Sequence, residues 1–119
     1  MADDTTVRGM VRAIQLEIRD GATDLLPDRA AQLLVELSAL LGNINDEIRI
    51  ADVEYAKTLL AELEKEQAAN RARIRAETTP AYLRKREARD TKELAIELIR
   101  GLKYYLKAKE EERREARMQ

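Results

Sequence analysis

The sequence predicts an all-α protein: a long antiparallel helical hairpin, coiled-coil-like, with a short N-terminal helix, assembled into an oligomeric bundle. Three observations predict it. Leu34, Leu37, Leu41, Ile44, Ile48, Ala51 and Tyr55 succeed one another in steps of 3 and 4, an unbroken a/d seam along which a helix can lie against another. Charged residues make up 38% of the chain, and the only aromatics are four Tyr, so the core must be thin and aliphatic. Four Gly and two Pro leave little material for loops, and the clearest punctuation, Thr78-Thr79-Pro80, falls between two heptad-patterned stretches.

The first helix is expected after a short acidic start, Met1 to Asp4, that frays. Thr5 or Thr6 caps it, and Val7, Met10, Val11, Ile14 and Ile18 mark one face. Asp20-Gly21 ends it, glycine suiting a left-handed position after the last turn. A helix this short and one-sided must dock on something. Ala22 to Leu26 is the connection, with Asp24 a candidate cap, and Pro27 sits where a missing N–H costs nothing, at the first helical position.

From Asp28 the helical pattern continues. Gly42-Asn43-Ile44-Asn45 resembles a break, yet Leu41, Ile44 and Ile48 keep the seam in phase across it, which favours one helix from about 28 to 77. After Tyr55 the steps to Leu59 and Leu63 are both four, a stutter that relaxes a left-handed supercoil. A second stripe, Ile50, Val53 and Leu60 with Lys57 between, lies nearly opposite the seam at 100° per residue. Apolar residues on two sides predict cover on two sides, for which the N-terminal helix and the hairpin partner are the candidates.

The chain turns at Thr78-Thr79-Pro80, with Thr79 capping a last helix that begins at Pro80. Ala88, Thr91, Ala95, Leu98, Leu102 and Tyr105 carry its heptad steps. Gly101 costs about 1 kcal/mol against Ala inside a helix, and close approach of another helix is a reason to keep it. Lys107 to Gln119 is nearly all charge, with Lys107–Glu111 and Glu110–Arg114 as i,i+4 pairs. The organisation read from the sequence is therefore residues 1–21 as a docking helix, 22–106 as a hairpin turning near 78–80, and 107–119 as a charged helical tail.

Several function classes are excluded or unsupported. Without Cys there is no thiolate metal site or thiol nucleophile, and without His the usual neutral-pH base and commonest metal ligand are gone. No signal-peptide core and no run of 18 apolar residues is present, so the reading is a soluble cytoplasmic protein without a membrane contact. Asp46, Glu47, Asp52 and Glu54 cluster on the long helix, and Asn45 and Asp52 share a face. A helical metal site, however, needs carboxylates converging from several helices, and the magnesium-type spacing of Glu17-x-x-Asp20 falls at a helix end. These carboxylates read as a solvated face. No catalytic, cofactor-binding or metal residue is assigned, and neither an enzymatic activity nor a small-molecule substrate is expected.

Charge is where a binding function would show. Residues 1–70 hold 7 Lys and Arg against 14 Asp and Glu, whereas residues 71–119 hold 15 against 9. Such polarity favours antiparallel pairing, within or between chains, or an anionic partner for the basic half. Arg71, Arg73, Arg75, Arg84, Lys85, Arg86 and Arg89 bracket the turn, so a hairpin gathers them at one end. There they can hold nucleic-acid phosphates without sequence preference, or an acidic protein partner, with Tyr82 the only aromatic close by. The competing reading is an Arg-rich solvated surface paired with acidic helices. Tyr104-Tyr105 reads as the edge of the seam rather than a base-stacking site. The seam itself, Leu34 to Tyr55 with Leu98, Leu102 and Tyr105, serves hairpin packing, and the thin core together with the second stripe favours a homo-oligomer.

The run Leu37-Ser38-Ala39-Leu40-Leu41-Gly42, followed by Ile44, Glu47-Ile48, Ala51 and Glu54-Tyr55, resembles small all-helical coiled-coil proteins of tailed bacteriophages, as do Pro80-Ala81-Tyr82 and Glu97-Leu98-Ile99-Arg100-Gly101-Leu102-Lys103. The resemblance spans residues 33–106. It implies a bacteriophage context, the host cytoplasm as location, and an accessory role beside recombination or single-strand-binding functions; it brings no catalytic residue. The expected function is accordingly a non-enzymatic interaction protein assisting DNA recombination or replication through its basic turn. The alternative is a structural virion or assembly component that touches no nucleic acid.

Overall fold

The computed structural model describes residues 6–21 and 24–118. Among them the chain forms four helices and no strand: α1 (Val7–Asp20), α2 (Pro27–Lys65), α3 (Ala69–Ala76) and α4 (Pro80–Met118). The fold is an all-α helical hairpin, with α2 and α4 as its arms. The acidic start, the alternative cap Thr5, Ala22 and Thr23 of the connection, and Gln119 lie outside the described residues. Among the described residues no helix is long and apolar enough to cross a membrane.

The chain gathers into two compact units. One takes α1, α2 as far as Gly42, and α4 from Glu93; the other is Asn43–Lys92, comprising the rest of α2, α3 and the start of α4.

In the first unit Thr6 caps α1, its hydroxyl accepting from the Gly9 N–H at 2.9 Å. Val11 and Ile14 are the buried face of α1, and the core continues through Ala30, Leu33, Leu37, Ala95, Ile99 and Leu102. Pro27, Asp28 and Ala31 at the start of α2 lie beside Leu106, Lys109 and Arg113 of α4. Gly21 closes α1 with its N–H on the Glu17 carbonyl at 2.9 Å, but at φ −100° rather than in the left-handed region. The helix ends there without a positive-φ cap. Two polar ties fasten the connection: the Tyr105 hydroxyl donates to the Leu25 carbonyl, and Arg29 clasps Glu17 through Nε and Nη2 at 2.5 and 2.7 Å.

That hydrogen bond to Arg29 holds the Glu17 carboxyl below its ordinary 4.5, against a smaller opposing effect of burial. A depressed carboxyl pKa stabilises the fold above the unfolded value, and the contribution disappears as pH falls through the folded one. Glu17→Gln is therefore expected to lower the thermal midpoint at pH 7. The difference from the native chain should vanish on acidification below about 4.5, as a midpoint series in pH will show.

In the second unit most of the buried side chains are small. Ala51, Ala72, Ala76, Ala81 and Ala88 are buried, joined by Ile44, Tyr55 and Thr91. Thr91 satisfies its hydroxyl on the Glu87 carbonyl at 2.8 Å, so a polar residue sits in the seam without an orphaned group. At the turn, the Thr78 and Thr79 N–H groups reach the Arg75 and Ala76 carbonyls, each at 3.2 Å. The Thr79 hydroxyl in turn accepts from the Tyr82 N–H at 3.4 Å, as the Thr79-Pro80 signature predicts.

Four expectations need correction. The long helix does not run to 77: it is continuous through Gly42–Asn45 but stops at Lys65, and α3 begins at Ala69. The break frees the chain to bring Ala72 and Ala76 to zero exposure, and Glu66 supports it by accepting from the Ala68 N–H at 3.3 Å and pairing with Arg75 at 3.7 Å. Ile50, Val53 and Leu60 are not covered on a second side, being 54%, 49% and 58% exposed. In the tail the pair is Lys109–Glu112 at 3.4 Å, in place of Lys107–Glu111 and Glu110–Arg114. Finally, no helix closes on Gly101, since a Cβ there would meet nothing within 4 Å, and the same holds at Gly42.

Both glycines therefore carry the entropic cost of their residue type without a steric reason. Gly42→Ala and Gly101→Ala are each expected to stabilise the chain by about 1 kcal/mol. Combined, they should raise the thermal midpoint by several degrees in a calorimetric scan.

Candidate interaction site at the turn end

The seven cations expected at the turn all fall within the second unit, on α3 and the first turns of α4. The structure splits them by what they touch. Arg84 Nε donates to Glu54 Oε2 at 2.9 Å, and Arg89 Nη2 donates to Asp52 Oδ2 at 2.8 Å. Arg75 pairs with Glu66 at 3.7 Å, and Lys85 Nζ stands 4.4 Å above the centre of the Tyr55 ring. Arg71, Arg73 and Arg86 are exposed and make no ion pair among the described residues.

The engaged cations set register. Arg84 meets Glu54 while Arg89 meets Asp52, so α4 advances as α2 recedes, which fixes the antiparallel sense in this unit. Each of these exposed pairs is individually weak, and their value lies in disfavouring a slipped alignment that sets like charges together. Asp52 and Glu54, which the sequence reads as a solvated face, are in fact partners of the basic segment. Asp52 Oδ1 remains buried without a hydrogen bond, so this carboxylate depends on Arg89 for its compensation.

Tyr55 organises the centre. Its ring is 9% exposed and lies 5.4 Å from the Tyr82 ring, tilted by 46°, beneath the Lys85 ammonium. Burial, first among the causes, pushes the Tyr55 hydroxyl above its ordinary 10.0, which keeps it neutral. Tyr82 is half-buried against Tyr55, so its face is not the open stacking platform the sequence left available. The three-residue constellation of Tyr55, Tyr82 and Lys85 has no local sequence signal, because its members come together only through the hairpin.

The charge around the turn is far from uniformly positive. The hollow beside it is bordered by Glu77, Glu87 and Asp90 against one cation, Arg86. Across Asn43–Lys92 there are 11 Lys and Arg to 10 Asp and Glu, a net +1, because acidic α2 faces the basic segment. Among the described residues no three acidic side chains converge as a metal cage: Glu17 is held by Arg29, and Asp46 lies 3.7 Å from Arg49. Of the adjacent tyrosines, Tyr105 is tied to Leu25 and lies beneath Lys109, whereas Tyr104 is 78% exposed.

In comparisons with protein-family models, curated proteins and solved structures, no match to the chain was found.

Proposed function

We propose that this chain is a non-enzymatic interaction and assembly protein, in which opposite charge on the two halves of the hairpin serves first to fix antiparallel pairing. The observation that carries this reading is the engagement of the basic segment within its own chain: Arg75, Arg84 and Arg89 by carboxylates, and Lys85 by an aromatic face. A surface whose cations are already matched has fewer counterions to release to a polyanion. The resemblance of residues 33–106 to bacteriophage coiled-coil proteins supports a phage setting for such a component, within the host cell.

A second reading, an accessory factor that touches DNA during recombination or replication, draws on Arg71, Arg73 and Arg86, the three candidate cations left without an ion pair. The two readings separate in a salt series with single- and double-stranded DNA. Three phosphate contacts give a slope of about −3 in log affinity against log salt on duplex, whereas seven give about −6. The expected result is weak binding at low salt with the shallow slope and none at physiological salt. Tight binding at physiological salt with the steep slope would reverse the order of the readings.

A further inference from the structure

The outer face of α2 in the second unit carries a pattern that is complementary to itself. Asp46, Ile50, Val53, Lys57 and Leu60 recur in steps of 4, 3, 4 and 3, on the side of the helix opposite Ile44, Ala51 and Tyr55. All five are exposed: Ile50, Val53 and Leu60 at 54%, 49% and 58%, Asp46 at 69% of its side chain, and Lys57 with no ion pair among the described residues. The order of chemistry is what matters. Asp46 and Lys57 are equally far from the midpoint between Ala51 and Asp52, and so are Ile50 and Val53.

We propose that this face docks on the same face of a second copy, with the two α2 helices antiparallel about a two-fold axis passing between Ala51 and Asp52. In that register Ile50 packs on the other copy's Val53 and Asp46 meets its Lys57, each contact occurring twice, as an isologous interface requires. These are also the layers of an antiparallel coiled coil, where each a position faces a d position. Leu60 then lies at the level of Asn43, the next residue of the stripe toward the N-terminus. A parallel pairing in register would set Asp46 on Asp46 and Lys57 on Lys57, so charge selects the antiparallel one. On the flank, Glu47 approaches the other copy's Glu54, whose carboxylate Arg84 already holds at 2.9 Å.

The contact deepens the assembly reading above by naming its partner, a second copy of this chain, and it fails independently of that reading. Sedimentation of the full chain over a concentration series is expected to show a monomer–dimer equilibrium. Asp46→Lys should weaken it at least about tenfold, and so should Lys57→Asp, since each places like charges in both symmetric contacts. The double variant D46K/K57D restores opposite charges in the same geometry and should return dimerisation to within about threefold of the native chain. All these positions are exposed, and unchanged helical circular dichroism will confirm that the variants fold. Because the chain has no Cys, disulfide trapping is clean: chains carrying D46C should link to chains carrying K57C. Two K57C chains should not link to each other, their residues being about 16 Å apart along the axis. A strict monomer across the series, failure of the double variant to recover, or D46C chains linking among themselves would overturn the two-fold contact. None of these outcomes touches the DNA result on which the assembly reading depends.

Discussion

Tyr55→Ala is expected to lower the unfolding free energy by about 3–5 kcal/mol, among the largest effects of any single substitution in this chain. The reason lies in what surrounds the ring. Tyr55 is 9% exposed, and Ala51, Ala72, Ala76, Ala81 and Ala88 make up most of the buried residues of its unit. Alanines have no rotamers with which to reach into a vacated space, so the cavity persists and its cost adds to the lost transfer free energy. The substitution also removes the ring that Tyr82 packs on at 5.4 Å and that Lys85 covers at 4.4 Å. Tyr55→Phe keeps both contacts and is expected to cost no more than about 1 kcal/mol. Urea unfolding followed by circular dichroism measures the pair. A loss below about 1 kcal/mol for the alanine variant would show that the unit does not rest on this ring.

Leu37→Ala should have a comparable effect in the other unit, about 3 kcal/mol within a usual range of 2–5. Leu37 and Leu33 are both at zero exposure, one turn apart on α2, and Val11 on α1 is buried as completely. Deleting one leucine between such neighbours leaves a void that fixed helices close only in part. Val35, two residues away and 69% exposed, is the control, with an expected change of at most about 0.5 kcal/mol on conversion to Ala. Since natural domains are stable by about 5–15 kcal/mol, the Leu37 variant should unfold at a clearly lower urea concentration with an unchanged slope. Equal effects at positions 35 and 37 would contradict the orientation of α2.

How much of this was legible in the sequence depended on whether the signal was local. The α2 seam was: Leu34, Leu37, Leu41, Ile44, Ile48, Ala51 and Tyr55 are each buried or half-buried, because a heptad step is written directly in residue order. Yet Leu33, at zero exposure, lies one position from the template. Adjacent leucines satisfy two phases, and only the neighbouring helices choose between them. The turn was equally plain, since Thr79 and Pro80 act through their own backbone.

The break between Lys65 and Ala69 had no such sign. Glu66, Gln67 and Ala68 include neither Gly nor Pro and favour helix, so the interruption is a tertiary override, traceable to the burial of Ala72 and Ala76. The basic cluster shows the same limit. Charge asymmetry announced antiparallel pairing, but Arg84–Glu54 and Arg89–Asp52 join residues 30 and 37 positions apart, and which cations are spent on them is a matter of register. Gly101 invited a close-packing reading that its open surroundings refute. A glycine's cost is visible in a sequence; its justification is not.

The described backbone contains no residue at positive φ, and the helical glycines Gly42 and Gly101 have open space around them. No position there obliges the chain to keep a particular amino acid for its conformation, so inheritance constrains spacing and polarity far more than identity. Descendants of such a gene can exchange Leu for Ile, Glu for Asp or Arg for Lys at most sites and preserve the hairpin, provided that the steps of 3 and 4 survive. Kinship in this lineage is better sought in the rhythm of apolar positions, and in the mirrored order of Asp46, Ile50, Val53 and Lys57, than in letters held in common.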